Sequence, residues 1–248
     1  MIDLEIAVQD VAGALVAASG GAARIELCTA LRLGGLTPSQ GVTEQTLEAT
    51  EGRGAFVHAL VRSRGGGFVY DSHEVATMER EIRALRRAGV HGIVVGALTP
   101  EARIDTEALR RWLDAAEGLA VTFHRAIDSC PEPLGELATL AEAGVRRVLT
   151  SGGAARSIDG LAVLEAMSAQ APAGIEVMAG GGVRIEDLPA LQRAGVDAVH
   201  LSARAVVPGV ALGPGGGTSD WDVTCLELVR EAHAGLSGSG LSRSHSLN

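Results

Sequence analysis

The sequence predicts an α/β protein folded as one (β/α)8, TIM-like barrel in a single domain, and three observations carry that expectation. Eight short β-branched or alternating runs recur along the chain, each followed by an Ala/Leu/Arg/Glu-rich stretch with helical spacing. The tripeptide Ala-Gly-Val returns at 88–90, 143–145 and 194–196, the glycine cap that ends a helix and feeds the next strand. The first strand runs into Gln9-Asp10-Val11-Ala12, not into the Gly-rich turn that a doubly wound sheet carries at that point.

In chain order, a strand over 4–9 precedes a helix over 11–19. Gly21 then leads into a strand over 23–29 and a helix over 43–51. Strand 55–62 ends in an arginine and glycine run before the helix 72–88, and Gly89 opens strand 92–98, with helix 105–117 behind it. Strand 119–126 ends in polar residues and precedes helix 132–143. Gly144 introduces strand 147–151 and helix 157–170, and strand 175–179 precedes helix 185–194. Gly195 leads into strand 198–202, and a last helix is expected over 220–234. Between them, residues 204–219 are Gly/Pro-rich and read as a mobile loop. The barrel domain therefore spans 1–234, and the Gly/Ser-rich stretch 235–248 reads as a disordered tail.

Composition narrows the function classes. Of 248 residues, 46% are hydrophobic but only 2% aromatic, so the core must be aliphatic. A net charge of -9 argues against nucleic acid or an anionic membrane as partner. No apolar run approaches the roughly 18 residues of a membrane span. Asp3 and Glu5 stand where a signal peptide would be basic, so a cytoplasmic location is expected. Cys28, Cys130 and Cys225 lack CxxC spacing, which fits neither a disulfide framework nor a zinc knuckle. The chain has no lysine, which rules out an imine-forming lysine and lysine-anchored pyridoxal phosphate; separately, no organic cofactor is expected.

Barrels of this class build their sites at strand C-termini, and here those ends are loaded with polar groups. Glu5 and Glu26 are charges in otherwise apolar strands, either structural ion-pair members or functional carboxylates. Arg62 and Arg64 flank a turn before Gly65-Gly66-Gly67 and suit a carboxylate or phosphate, or else a surface salt bridge. His124 is the acid/base candidate, with Asp128 or Glu5 to orient it. Arg125, Ser151, Gly181 and Ser202 complete a candidate anion-binding set, since loops after the seventh and eighth strands often hold phosphate. His200 and His58 read as structural. Thr37 and Ser39 read as helix caps or ligand contacts. Cys28 is a metal candidate for Cu(I), which prefers two soft ligands; Met178 is the nearest second one by position, and the competing reading is an inert buried thiol.

Five runs, Arg24-Ile25-Glu26-Leu27-Cys28, Gly34-Gly35-Leu36-Thr37-Pro38-Ser39, Arg62-x-Arg64-Gly65-Gly66-x-Phe68-x-Tyr70, Thr122-Phe123-His124-Arg125-Ala126-x-Asp128 and Val148-Leu149-Thr150-Ser151-Gly152, resemble the CutC family of copper homeostasis proteins. The resemblance runs from Leu4 to about Ala203. It implies a TIM-like barrel, a cytoplasmic homo-oligomer (dimer or tetramer) and a role in copper tolerance or Cu(I) binding. The chain departs from the family at Ala7, where members often carry cysteine, at Ser63 in place of proline and at Gly67 in place of aspartate. Three functions stay open on these residues: a copper-handling protein using Cys28, an enzyme acting by acid/base chemistry on a small anionic metabolite, or a non-catalytic scaffold.

Overall fold

The computed structural model describes residues 2–209 and 220–238. Eight parallel strands close on themselves: β1 (Asp3–Val8), β2 (Arg24–Leu27), β3 (Phe56–Leu60), β4 (Gly92–Val95), β5 (Ala120–Phe123), β6 (Arg147–Thr150), β7 (Glu176–Gly180) and β8 (Ala198–Leu201). The last strand pairs with the first, Glu5 lying opposite His200. Around them run α1 (Val11–Ser19), α2 (Gln40–Thr50), α3 (Ser72–Ala88), α4 (Thr106–Ala116), α5 (Glu136–Ala143), α6 (Leu161–Gln170), α7 (Leu188–Arg193) and α8 (Leu226–Ser237). The predicted (β/α)8 barrel is therefore the observed fold.

Local chemistry sets the helix starts. Asp10, Asp71 and Asp105 each cap a helix by accepting backbone N–H groups, and Asp71 forms a reciprocal capping box with Glu74. Ser39 caps α2, one of the two readings open for it. Alternation sets the two strand faces. Ile6, Val8, Ile25, Leu27, Val57 and Phe123 turn outward into the main hydrophobic core with Met78, Leu109 and Trp112.

Two expectations fail at the C-terminal end. Part of the expected loop is a strand, β9 (Arg204–Val207), and the expected start of the last helix is its antiparallel partner, β10 (Trp221–Thr224). Val206-Val207, Trp221 and Val223-Thr224 are good strand formers, and the glycine density between them hid that signal. Asp222 fixes the ribbon by accepting from Arg32 and Arg204. The helical part of the chain also reaches Ser237, beyond the expected boundary at 234. The Gly213–Gly217 stretch and the tail from 239 lie outside the described residues.

Several strands are shorter than their apolar runs, and this matters for the site. β3 ends at Leu60, so Arg62 and Arg64 belong to the following loop. β5 ends at Phe123, so His124 caps a 3-10 turn over Arg125–Ser129. The expected helices 132–143 and 157–170 begin only at Glu136 and Leu161.

Candidate functional site

The inward faces of the strands are polar to an extent a packed barrel does not need. Glu5, wholly buried, receives a hydrogen bond from Arg24 Nε at 2.5 Å and another from His200 Nδ1 at 2.8 Å. Arg24 also donates to the Met178 sulfur, and Arg147 pairs with Glu176 beside it. Arg24, Arg147 and Glu176 open their strands, while Glu5, Met178 and His200 are each the third residue of theirs. The isolated apolar trios Cys28, Leu60, Val94 and Leu149, Met178, Ala198 fill space between them.

Glu26 pairs with Ala7, two positions beyond the Glu5–Arg24 level, and faces His200, whose Nε2 is 3.9 Å from a Glu26 oxygen. The two carboxylates are in different states. Burial opposes the charge of Glu5, but the hydrogen bond and charge of His200, with Arg24, outweigh it and hold Glu5 below the usual carboxylate range. Burial of Glu26, with the nearby charge of Glu5, pushes it up to about 7 against the pull of His200. Burial disfavours the His200 imidazolium, yet Glu26 and then Glu5 raise its pKa. Glu5, Glu26 and His200 offer ligand atoms within 4.8 Å of one another, the one such trio among the described residues.

A second cluster sits over the ends of β6 and β7. Arg125 bonds to Asp128 at 2.8 Å and to Ser151 Oγ at 3.0 Å. Asp128 also accepts from Thr150 Oγ1 at 2.5 Å and from the N–H groups of Ser151 and Gly153. Its acceptor capacity is spent on holding the loop, and it makes no bond to His124. Gly181 seats the Arg125 guanidinium: it has φ 113°, and a Cβ there would lie 2.7 Å from Arg125 Cζ. Ser202 lies half-buried just past β8.

His124 is placed at the mouth but not as expected. Neither Glu5 nor Asp128 orients it. Its Nδ1 accepts the Ala126 N–H at 3.1 Å, so the neutral ring carries its proton on Nε2, which is buried without a partner. Burial, aided by the Arg62 charge, lowers its pKa to about 3. The ring fits because β4 is followed by Gly96, where a Cβ would come within 2.4 Å of it. Phe68 covers both groups, 4.8 Å from the His124 ring centre and 5.2 Å from Arg62 Cζ.

The structure does not bring the Arg62 and Arg64 guanidinium groups together. Arg62 is 7% exposed and its guanidinium donates to the carbonyl oxygens of Leu33, Gly35 and Gly66, with Nε left buried and unpartnered. Arg64 points away, paired with Glu74 and donating to Gly67 and Val69. Their even spacing would share a face only in a strand, and β3 stops before them. Thr37 serves the loop, bonded to the Arg62 backbone and to Glu81.

The Cu(I) expectation at Cys28 does not fit its surroundings. The thiol is fully buried and donates to the Val8 carbonyl at 3.4 Å, among Leu31, Leu60 and Val94. Burial and the Glu26 charge push its pKa far up, so the thiolate that Cu(I) needs is disfavoured. Ala7, beside Glu26 in register, supplies no sulfur, and the Met178 sulfur is engaged by Arg24. His58, read as packing, is buried and neutral; burial lowers it to about 3. What the sequence understated was His200, whose role depends on a register contact across the closing seam of the barrel.

Comparison with known proteins settles the lineage. The CutC family profile matches residues 2–205. The chain belongs to the CutC family. It is 44% identical over 205 residues to a family protein CutC of Salmonella paratyphi B, covering 83% of this chain and 81% of that one. It is 39% identical over 204 residues to one of Histophilus somni, covering 82% and 83%. A solved structure described as a candidate copper homeostasis protein CutC from Streptococcus agalactiae superimposes with a TM-score of 0.78 at 32% identity, over 82% of this chain and 99% of that one. Thiamine phosphate pyrophosphorylase from Pyrococcus furiosus shares the fold alone, with a TM-score of 0.60 at 14% identity. No helix among the described residues is long and apolar enough to cross a membrane.

Proposed function

We propose that this CutC-family barrel is an enzyme that binds a small anionic metabolite, carboxylated or phosphorylated, at its mouth and moves protons on it. The observation that carries this reading is Arg62, a buried guanidinium bonded to carbonyl oxygens and to no carboxylate. A buried charge without a counterion is costly, and an anionic ligand would supply the missing charge. The neutral His124 Nε2–H is a second donor beside it. Glu26 and His200, with Glu5 holding the imidazole, are the groups able to exchange protons. Without lysine the chemistry proceeds without an imine. The reading takes the protein to be a cytoplasmic homo-oligomer.

The test is a thermal-shift screen of small carboxylates and phosphates. Stabilisation lost in Arg62→Met and kept in Arg64→Met supports the reading. Equal stabilisation in wild type and Arg62→Met, or none in either, overturns it.

Family membership favours a second reading, a role in copper homeostasis such as the streptococcal relative is described with. A deletion strain complemented by wild type and by Glu26→Gln, grown on rising copper, separates the two. Copper tolerance restored by wild type and not by Glu26→Gln would tie the phenotype to the barrel's chemistry. Restoration by both would detach it from that site.

A further inference from the structure

We infer that Glu26 and His200 form a binding site for a divalent metal ion, with Glu5 as the residue that positions His200. The inference shares its residues with the proposed acid/base site and goes beyond it, since a cation bound there would act as a Lewis acid on an oxygen of the ligand.

The first observation is how His200 is held. Its Nδ1–H donates to an ionised Glu5 at 2.8 Å, and Arg24 fixes that carboxylate from the other side. The lone pair of a neutral His200 is then on Nε2, and Nε2 is the atom that faces Glu26. A histidine whose second nitrogen is pinned by a carboxylate is the arrangement that metal-ligating imidazoles adopt, because it fixes tautomer and ring direction together.

The second observation is Glu26 itself. It is 6% exposed, and the nearest cationic or donor group the structure gives it is that same Nε2 at 3.9 Å, too far for a hydrogen bond. A carboxylate so buried normally has donors on both oxygens. With His200 neutral, two electron-pair donors face each other at 3.9 Å, somewhat longer than the roughly 3.0–3.5 Å between neighbouring ligand atoms on one ion with bonds of about 2.0–2.2 Å. Sub-ångström side-chain movement completes the geometry.

The donor set names the chemical class. One imidazole and one carboxylate suit first-row divalent ions such as Mn2+, Co2+ or Zn2+, and no thiolate takes part that would favour Cu(I). Each Glu5 oxygen already accepts a hydrogen bond, one from Arg24 and one from His200, which assigns Glu5 to positioning His200. Two protein ligands leave several coordination positions for water or a bound anion, which is the pattern of a catalytic site and not of a structural one.

The experiment uses the full-length protein stripped with a chelator and titrated with Mn2+, the free ion being followed by its EPR signal. About one equivalent should bind. Spin-echo modulation from one imidazole nitrogen should appear on the bound Mn2+ in wild type, a readout that needs no variant. Affinity should fall at least tenfold in Glu26→Gln and in His200→Gln, and by about 10–100-fold in Glu5→Gln, while exposed Asp114→Asn leaves it unchanged. The inference is overturned by the absence of saturable binding of Mn2+, Co2+ or Zn2+, by bound Mn2+ without nitrogen modulation, or by affinity unchanged in folded Glu26→Gln and His200→Gln. Failure here, with Arg62-dependent anion stabilisation intact, would leave the enzyme reading standing; the reverse would remove that reading and keep the metal site.

Discussion

Replacing each interior carboxylate by its amide should have opposite consequences for stability. Glu5 is wholly buried, accepts from Arg24 at 2.5 Å and from His200 at 2.8 Å, and is held in its charged form by both. Glu5→Gln keeps the shape and removes the charge. It leaves the buried Arg24 guanidinium with the more distant Asp3, 3.7 Å away and half-exposed, as its remaining charged partner. Breaking a buried pair from one side costs about 3–5 kcal/mol. For a chain of this length each kcal/mol moves Tm by roughly 2–4 °C, so a fall on the order of 10 °C is expected. Glu26 has no hydrogen bond to lose, and burial already works against its charge. Glu26→Gln should be neutral or stabilising. The assay is urea unfolding of metal-free protein at one pH, supported by Tm. If both substitutions destabilise equally, or Glu26→Gln costs more, the assignment of Arg24 and of the His200 Nδ1 proton to Glu5 is wrong.

Three further outcomes can be checked on the same protein. Gly96→Ala would press a methyl group to 2.4 Å from the His124 ring and should cost about 1–3 kcal/mol, read from the urea midpoint; an unchanged midpoint would mean the ring is not seated there. His58 is buried and its pKa depressed to about 3 from an ordinary 6.5, so the folded state holds its full stability above pH 6.5 and loses it as pH falls toward 3. A folded His58→Leu should therefore show a shallower decline of Tm between pH 6.5 and 4 than wild type, and parallel curves would refute the buried neutral ring. Of the three thiols only Cys225 is partly exposed, so native protein should react with one equivalent of Ellman's reagent, and Cys225→Ser should abolish the fast phase; rapid reaction of a second thiol would contradict the burial of Cys28.

The fold was legible because a barrel repeats its signal. Each βα unit carries its own strand run and glycine-capped junction, and a misplaced boundary in one unit leaves the others intact. The polar loading of strands β1 and β2 was legible for a related reason, since a lone Glu among Leu, Ile and Val has few explanations. Partnerships were not legible. Glu5 meets His200 from 195 positions away because the barrel closes β1 onto β8, and no local pattern announces that contact. Spacing rules failed where an element ended early: Arg62 and Arg64 share parity, but β3 stops at Leu60 and the loop sends one inward and the other to Glu74. The β9–β10 ribbon was missed because turn-forming residues dominate the stretch between its strands.

That ribbon has a consequence for how this barrel could change. The family match ends at residue 205, before α8, which packs on α1 and α7 and completes the ring. The chain therefore reaches its closing helix by a detour whose two ends are clasped, Val207 opposite Trp221, with Asp222 gripping Arg32 and Arg204 below. The ribbon anchors this connection to the barrel, through Asp222 to Arg32 and through Gln9 Nε2 to the Asp222 carbonyl. Doubling the length of a flexible connection adds only about 0.6 kcal/mol of closure entropy, so an insertion between Val207 and Trp221 is expected to cost the eight-stranded wall little.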